Sequence, residues 1–215
     1  MNKKKAAAAL VLNLLLLILE VKGSIMSVKE IGWGVFIYFT DYSNNLSMVA
    51  AAFMAIYLTG YLKNGTQIPM WLRLLKYMAA CSLSVTLLVV VFILSPMIGE
   101  GGLRWSMLYG DMLYHHFLCP VLAVVLFLFF EHEPCLEKKH TFYGLIPVSV
   151  YAAVFVVLNL LRIVEGPYPF LMYYKQPVYM SVFYTFVIPG GAYVVAQVLR
   201  KLNTVLKKSC HPERT

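Results

Sequence analysis

Residues 72–97 read LRLLKYMAACSLSVTLLVVVFILSPM, and the choice of fold turns on this stretch. A helix rises about 1.5 Å per residue, so about 20 mostly apolar residues cross a hydrocarbon core about 30 Å thick. The stretch is long and apolar enough to do so. Working outward, similar runs lie near residues 6–22, 38–62, 111–130, 142–162 and 178–199, each ended by charged or turn-forming residues. Composition agrees: 60% of residues are hydrophobic and 13% charged, against about 45–50% and about 25% in soluble domains. The expectation is an all-α, polytopic transmembrane bundle of about six helices, a single integral membrane domain over residues 1–215. Little chain remains for a soluble domain, so function must reside in the helices or their short loops.

The first run follows Lys3, Lys4 and Lys5, as a signal peptide would, but the segment Leu19-Glu20-Val21-Lys22-Gly23 lacks an A-x-A cleavage pattern. It reads as an uncleaved helix. The net charge of +8 does not mark a nucleic-acid binder, because the basic residues cluster beside apolar runs rather than along one polar face. With the N-terminus inside, Lys3, Lys4, Lys5, Lys63, Arg73, Lys76, Lys138, Lys139, Arg200, Lys201, Lys207, Lys208 and Arg214 gather on the inner side. Lys22, Lys29, Arg104, Arg162 and Lys175 remain on the outer side. That excess places both termini in the cytoplasm. Cys81 and Cys119 fall in apolar runs, Cys135 and Cys210 in polar segments, and all four read as reduced. Pro96, Pro120, Pro147 and Pro189 are expected to kink their spans, with Pro189-Gly190-Gly191 as the sharpest bend.

Polar residues inside spans are expensive and mark candidate function. One group is Tyr38-Phe39-Thr40-Asp41-Tyr42-Ser43-Asn44-Asn45, opening the second span. The other is Asp111-Met112-Leu113-Tyr114-His115-His116, opening the fourth. Both spans run outside to inside, so Thr40, Asp41, Asp111 and His115 share an outer depth. Asp111 and His115 are i and i+4 and share a face, while His116 is turned about 100° away. A hydroxyl beside a histidine backed by a carboxylate is the arrangement for nucleophilic acyl transfer. Other readings stand beside it. Thr40 could bond the carbonyl one turn back, Asp111 could cap its helix, and Asp41, Ser43, Asn44 and Asn45 could join helices. The loop Gly166-Pro167-Tyr168-Pro169-Phe170-Leu171 is stiff and aromatic, either an interfacial belt or a lid over the polar site through Tyr168, Pro169 and Phe170.

These three segments, over about Phe36 to Tyr174, resemble the androgen-induced and androgen-dependent membrane proteins, threonine hydrolases of fatty acid esters of hydroxy fatty acids, and their six-span bacterial relatives. The resemblance rests on an aromatic-rich Phe-Thr segment at Thr40, a His five residues before a Pro at His115 and Pro120, and Tyr168-Pro169-Phe170-Leu171. It implies a bacterial plasma membrane and the catalytic pair Thr40 and His115. Asp111, Asp41, Ser43, Asn44 and His116 would support them, with Ser43 and His116 as the alternative hydroxyl and base. The Thr-Asp-Tyr-Ser-Asn run resembles the bacterial relatives more than the characterised hydrolases. The expected function is therefore lipid-ester hydrolysis in an outer-leaflet pocket between the second and fourth spans. The alternative is a non-catalytic protein that binds or transports a lipid or small solute there. Membrane lipids are the expected partners. No cofactor is expected, and no metal, because no ligand spacing demands one.

Overall fold

Six long apolar segments form helices because a backbone crossing hydrocarbon must satisfy its own N–H and C=O groups. In the computed structural model, which describes residues 1–206, these are α1 (Lys3–Ile37), α2 (Phe39–Asn64), α3 (Met70–Ile98), α4 (Leu113–Phe130), α5 (Lys138–Leu160) and α6 (Val178–Leu206). No strand occurs among the described residues. Lys207, Lys208, Cys210 and Arg214 lie outside them. Asn2 caps α1 by accepting from the Lys5 N–H at 2.8 Å. The α-helical part of α1 continues through Lys22 and Lys29 to Ile31, where Gly32 takes a positive φ of 58°. A left-handed Gly65 ends α2, its N–H returning to the carbonyls of Gly60 and Tyr61.

The prolines act through the turn ahead of them. Pro96, Pro120 and Pro147 each sit in the first turn of an α-helical segment. Each follows a change of helical register: wide π turns over Val90–Leu94 and Leu113–Leu118, and a tight 3-10 stretch over Lys138–Leu145. A proline supplies no N–H for the carbonyl four residues back, and a register change re-pairs the freed group. Pro189 instead lies inside α6, which stays helical through Gly190 and Gly191.

The bundle buries several charged and polar side chains within an otherwise apolar core and exposes large apolar ones. Asn13, Glu20, Asp41, Arg73, Lys76, His115 and Glu131 are buried, while Ile18, Ile56, Phe92 and Phe186 are exposed. Six spans with so apolar an outer surface define an integral membrane protein. Ala6 and Ala9 of α1 pack with Met54 and Leu58 of α2 and Leu72 of α3. Helix alternation gives two ends: the Lys63 end, with the α2–α3 and α4–α5 loops, and the Thr40 end, with the loops that follow α1, α3 and α5. Cys81 and Cys119 are buried free thiols.

Candidate functional site

Thr40 occupies the first turn of α2, and the π turn that opens α4 carries His115 and His116. The two histidines diverge. His116 Nε2 lies 3.4 Å from Thr40 Oγ1. Its Nδ1 lies 2.7 Å from the Ser106 carbonyl. A carbonyl can only accept, so Nδ1 carries the proton and Nε2 offers a lone pair to the Thr40 hydroxyl. His115 turns the other way, with Nδ1 3.8 Å from Asp41 Oδ1. The expected contact between Thr40 and His115 is thus replaced by Thr40 with His116. The wide helical register explains it, because it rotates side chains away from an ideal α-helical placement.

The carboxylate beside His115 is Asp41, which also accepts from Ser27 Oγ at 3.1 Å. Asp111 gives its main-chain carbonyl to the His115 N–H at 3.0 Å. No side chain caps this segment. Ser43 donates to the Thr40 carbonyl at 2.9 Å and meets Thr86 Oγ1 at 2.9 Å. Asn44 Nδ2 donates to that same carbonyl at 2.8 Å and lies 3.3 Å from the His115 carbonyl. These contacts hold the first turn of α2 against α3 and α4, while the Thr40 hydroxyl is left toward His116.

A cavity of about 440 Å³ opens on the other side of Thr40. Thr40, Thr86, Val148, Tyr168, Phe170 and Tyr184 are among its walls. The expected pocket between the second and fourth spans is therefore displaced: the cavity lies among α3, α5 and α6, is mostly apolar, and no α4 residue lines it. The Tyr-Pro-Phe-Leu loop does cover it. Pro169 begins a short 3-10 turn, Pro169–Leu171, and Tyr168 stacks on Phe170 with ring centroids 5.1 Å apart. The Tyr168 hydroxyl accepts from the Thr40 N–H at 3.4 Å. Burial pushes its phenol up to about 12, so it keeps its proton at neutral pH. Asn159 anchors the loop, accepting from the Tyr173 N–H at 2.8 Å.

A second polar region escaped the sequence reading. At the Lys63 end, buried Lys76 pairs with Glu131 at 3.3 Å and donates to Asn13 Oδ1 at 2.8 Å. Asn13 Nδ2 in turn donates to Glu131 Oε1 at 3.0 Å. Arg73 reaches Asn203 Oδ1 at 2.8 Å and lies over the Phe127 ring. Arg73 and Lys76 read in sequence as flanking charges of the inner side, although both face the core. Their spacing of three residues on one helix face was the available signal. Among the described residues, no three of His, Cys, Asp and Glu cluster as a metal site would require.

The class defined here is a six-helix integral membrane protein. No family model matches its sequence, and comparison with curated proteins and with solved structures yields no match.

Proposed function

We propose that this protein is an intramembrane hydrolase of lipid esters, with Thr40 as nucleophile and His116 as general base. The observation that carries the reading is the position of Thr40 Oγ1, 3.4 Å from His116 Nε2 on one side and in the wall of a largely apolar cavity on the other. The Ser106 carbonyl fixes the imidazole tautomer, the task a carboxylate performs in many hydrolases. Thr40 and His116 are at the long limit of a hydrogen bond, a separation common before substrate binds. The motif resemblance to threonine hydrolases of fatty acid esters agrees in the nucleophile and differs in the base.

In this scheme an acyl chain occupies the apolar cavity and presents its ester carbonyl to Thr40. Oγ1 attacks the carbonyl carbon while its proton passes to His116 Nε2. The protonated Tyr168 phenol, beside the Thr40 N–H, donates to the developing oxyanion. Collapse of the tetrahedral species expels the alcohol, which takes the proton from His116. Water, deprotonated by the same nitrogen, then releases the fatty acid and restores Thr40.

A fluorophosphonate probe tests this directly. Wild-type protein in detergent should be labelled on Thr40, identified by peptide mass, and Thr40→Val should not be labelled. Absence of labelling in folded wild type, together with a lipid that co-purifies and is lost from Thr40→Val, would instead assign the cavity to a non-catalytic lipid binder.

A further inference from the structure

The α1 helix carries buried polar residues at Asn13, Glu20 and Ser27, two turns apart on one face. The hydrolase scheme uses none of them. Asn13 and Ser27 hydrogen-bond to different partners across the bundle. Asn13 joins Lys76 and Glu131 at the Lys63 end, and Ser27 joins Asp41 at the Thr40 end. Glu20, between them, is 0% exposed, and its carboxyl group faces a hydroxyl and a thiol at longer than hydrogen-bonding distance. The side chains of Ser47 on α2 and Cys119 on α4 lie beside it, and Lys76 on α3 is its charged neighbour.

One turn beyond Glu20, Gly23 backs directly on His115. A Cβ there would stand 2.6 Å from His115 Nε2. That nitrogen is also unpartnered, as are Ser47 Oγ and Asn44 Oδ1. Weakly matched polar atoms on α1, α2 and α4 thus run from Glu20 and Ser47 toward Asn44 and His115 at the Thr40 end. Each such buried atom costs about 1–3 kcal/mol, so chance does not account well for the group. The packing at Gly23 is too close for a solute, whereas a proton needs only oxygen and nitrogen atoms within reach of side-chain rotation.

We propose that the polar face of α1 is a proton path across the bundle, running from Glu131 and Lys76 through Glu20 to His115 and Asp41. Chains of Asp, Glu and His inside membrane segments are the usual carriers of such relays. Members along α1 are about one to two turns apart, near 5–10 Å of rise, with Lys76 filling the interval below Glu20 and His115 the interval above it. A proton entering at Glu131 reaches Glu20 as its carboxylic acid. It then passes to His115 Nε2, while the proton on Nδ1 moves to Asp41, which faces it at 3.8 Å. Asp111 and His116 are the other titratable groups near His115. Only O–H and N–H bonds are made or broken, and the gradient across the membrane supplies the drive. The inference is independent of the hydrolase reading.

The full chain reconstituted into phosphatidylcholine vesicles with an internal pH dye tests the path under a valinomycin-set potassium potential. Wild type should acidify the lumen faster than protein-free vesicles, and Glu20→Gln should fall to the protein-free rate. Dicyclohexylcarbodiimide, which modifies protonated carboxyls in apolar surroundings, should impose the same loss on wild type and so decides the matter if Glu20→Gln fails to fold. Wild-type flux at the protein-free rate, or flux that survives folded Glu20→Gln, overturns the proposal. Ester hydrolysis is not read in this assay, so the two readings fail separately.

Discussion

The two ends of the bundle bury polar groups in opposite ways. At the Lys63 end, opposite charges meet: Lys76, Glu131 and Asn13 form a closed triangle, and Arg73 is held by Asn203 and the Phe127 ring. At the Thr40 end, neutral donors and acceptors face a cavity, and one hydroxyl is left to a histidine. Ionic contacts of this kind hold helices in register, even with Glu131 Oε2 and Arg73 Nε and Nη1 left without hydrogen-bond partners among the described residues. A half-satisfied set of hydroxyl, imidazole and phenol is available to a substrate. The difference explains why chemistry is assigned to the second end, although the first holds more charge.

The largest effects should separate the ends by function. Thr40→Ala should abolish probe labelling and ester hydrolysis with the fold retained, and Thr40→Ser should keep part of both. His116→Ala should lower the hydrolysis rate by about 10²–10⁴, the usual share of a general base. His115→Ala should cost much less, because His115 faces Asp41 and α1. A larger loss in His115→Ala than in His116→Ala would break the assignment of the base.

At the other end the loss should appear in stability. Glu131→Gln should destabilise the protein by about 3–5 kcal/mol, read as a lower midpoint in thermal or denaturant unfolding, because it strands Lys76 in a buried site. Replacing both partners, Lys76→Met with Glu131→Leu, should cost less than the single change. If the single change is neutral, the ionic set is not the structural lock that the comparison makes it.

The two ends also differ in charge. The excess of Lys and Arg gathers at the Lys63 end, so that end is expected in the cytoplasm. A cysteine at Lys63→Cys, in a background with Cys135→Ser, should resist an impermeant maleimide in intact cells and react after lysis. Labelling of intact cells would reverse the orientation and place the Thr40 site at the cytoplasmic face.

Six spans were legible because hydrocarbon imposes one requirement, a long apolar run, that any window can detect. The depth shared by Thr40 and the His115-His116 pair was legible for the same reason. Which histidine faces Thr40 was not, because it depends on π turns at Leu113–Leu118 whose only local sign is the later Pro120. The cavity was displaced because most of its walls beyond Thr40 and the loop come from α3, α5 and α6, and apolar residues there look identical whether they face lipid or an opening. The buried Arg73 and Lys76 were hidden by proximity to a span end, where a charge is ordinarily free to reach water. Asn13, Glu20 and Ser27 repeat every seven residues, so their face could have been found by counting along the first span.

Tyr168→Phe comes next in size and sharpens the role of the loop. Burial raises the phenol to about 12, so its donor capacity is constant near neutral pH. If it stabilises the oxyanion, its removal should lower kcat by about 10²–10³ with little change in KM. If it serves only to dock the loop, the loss should be about 1 kcal/mol of stability with kcat retained.

The smallest expected effect tests whether the two ends communicate through α1. Gly23 lies where α1 touches His115 and Tyr114, and a methyl group there would stand 2.6 Å from His115 Nε2 and 2.9 Å from Tyr114 Cβ. Gly23→Ala should therefore push α4 from α1 and cost about 1–3 kcal/mol, the usual range for overpacking. His115 bears the contact, and His116 on the next position faces Thr40. A shift in α4 should thus reach hydrolysis as well as stability, lowering the rate by more than the unfolded fraction explains. The ionic triangle contacts α1 at Asn13, nearly three turns from Gly23, and should be left intact. The double variant Gly23→Ala with Glu131→Gln should then lose stability by the sum of the single losses, as distant sites do. A departure from that sum larger than about 0.5 kcal/mol would show that α1 transmits strain between the ends, and the separation drawn between them would have to be given up.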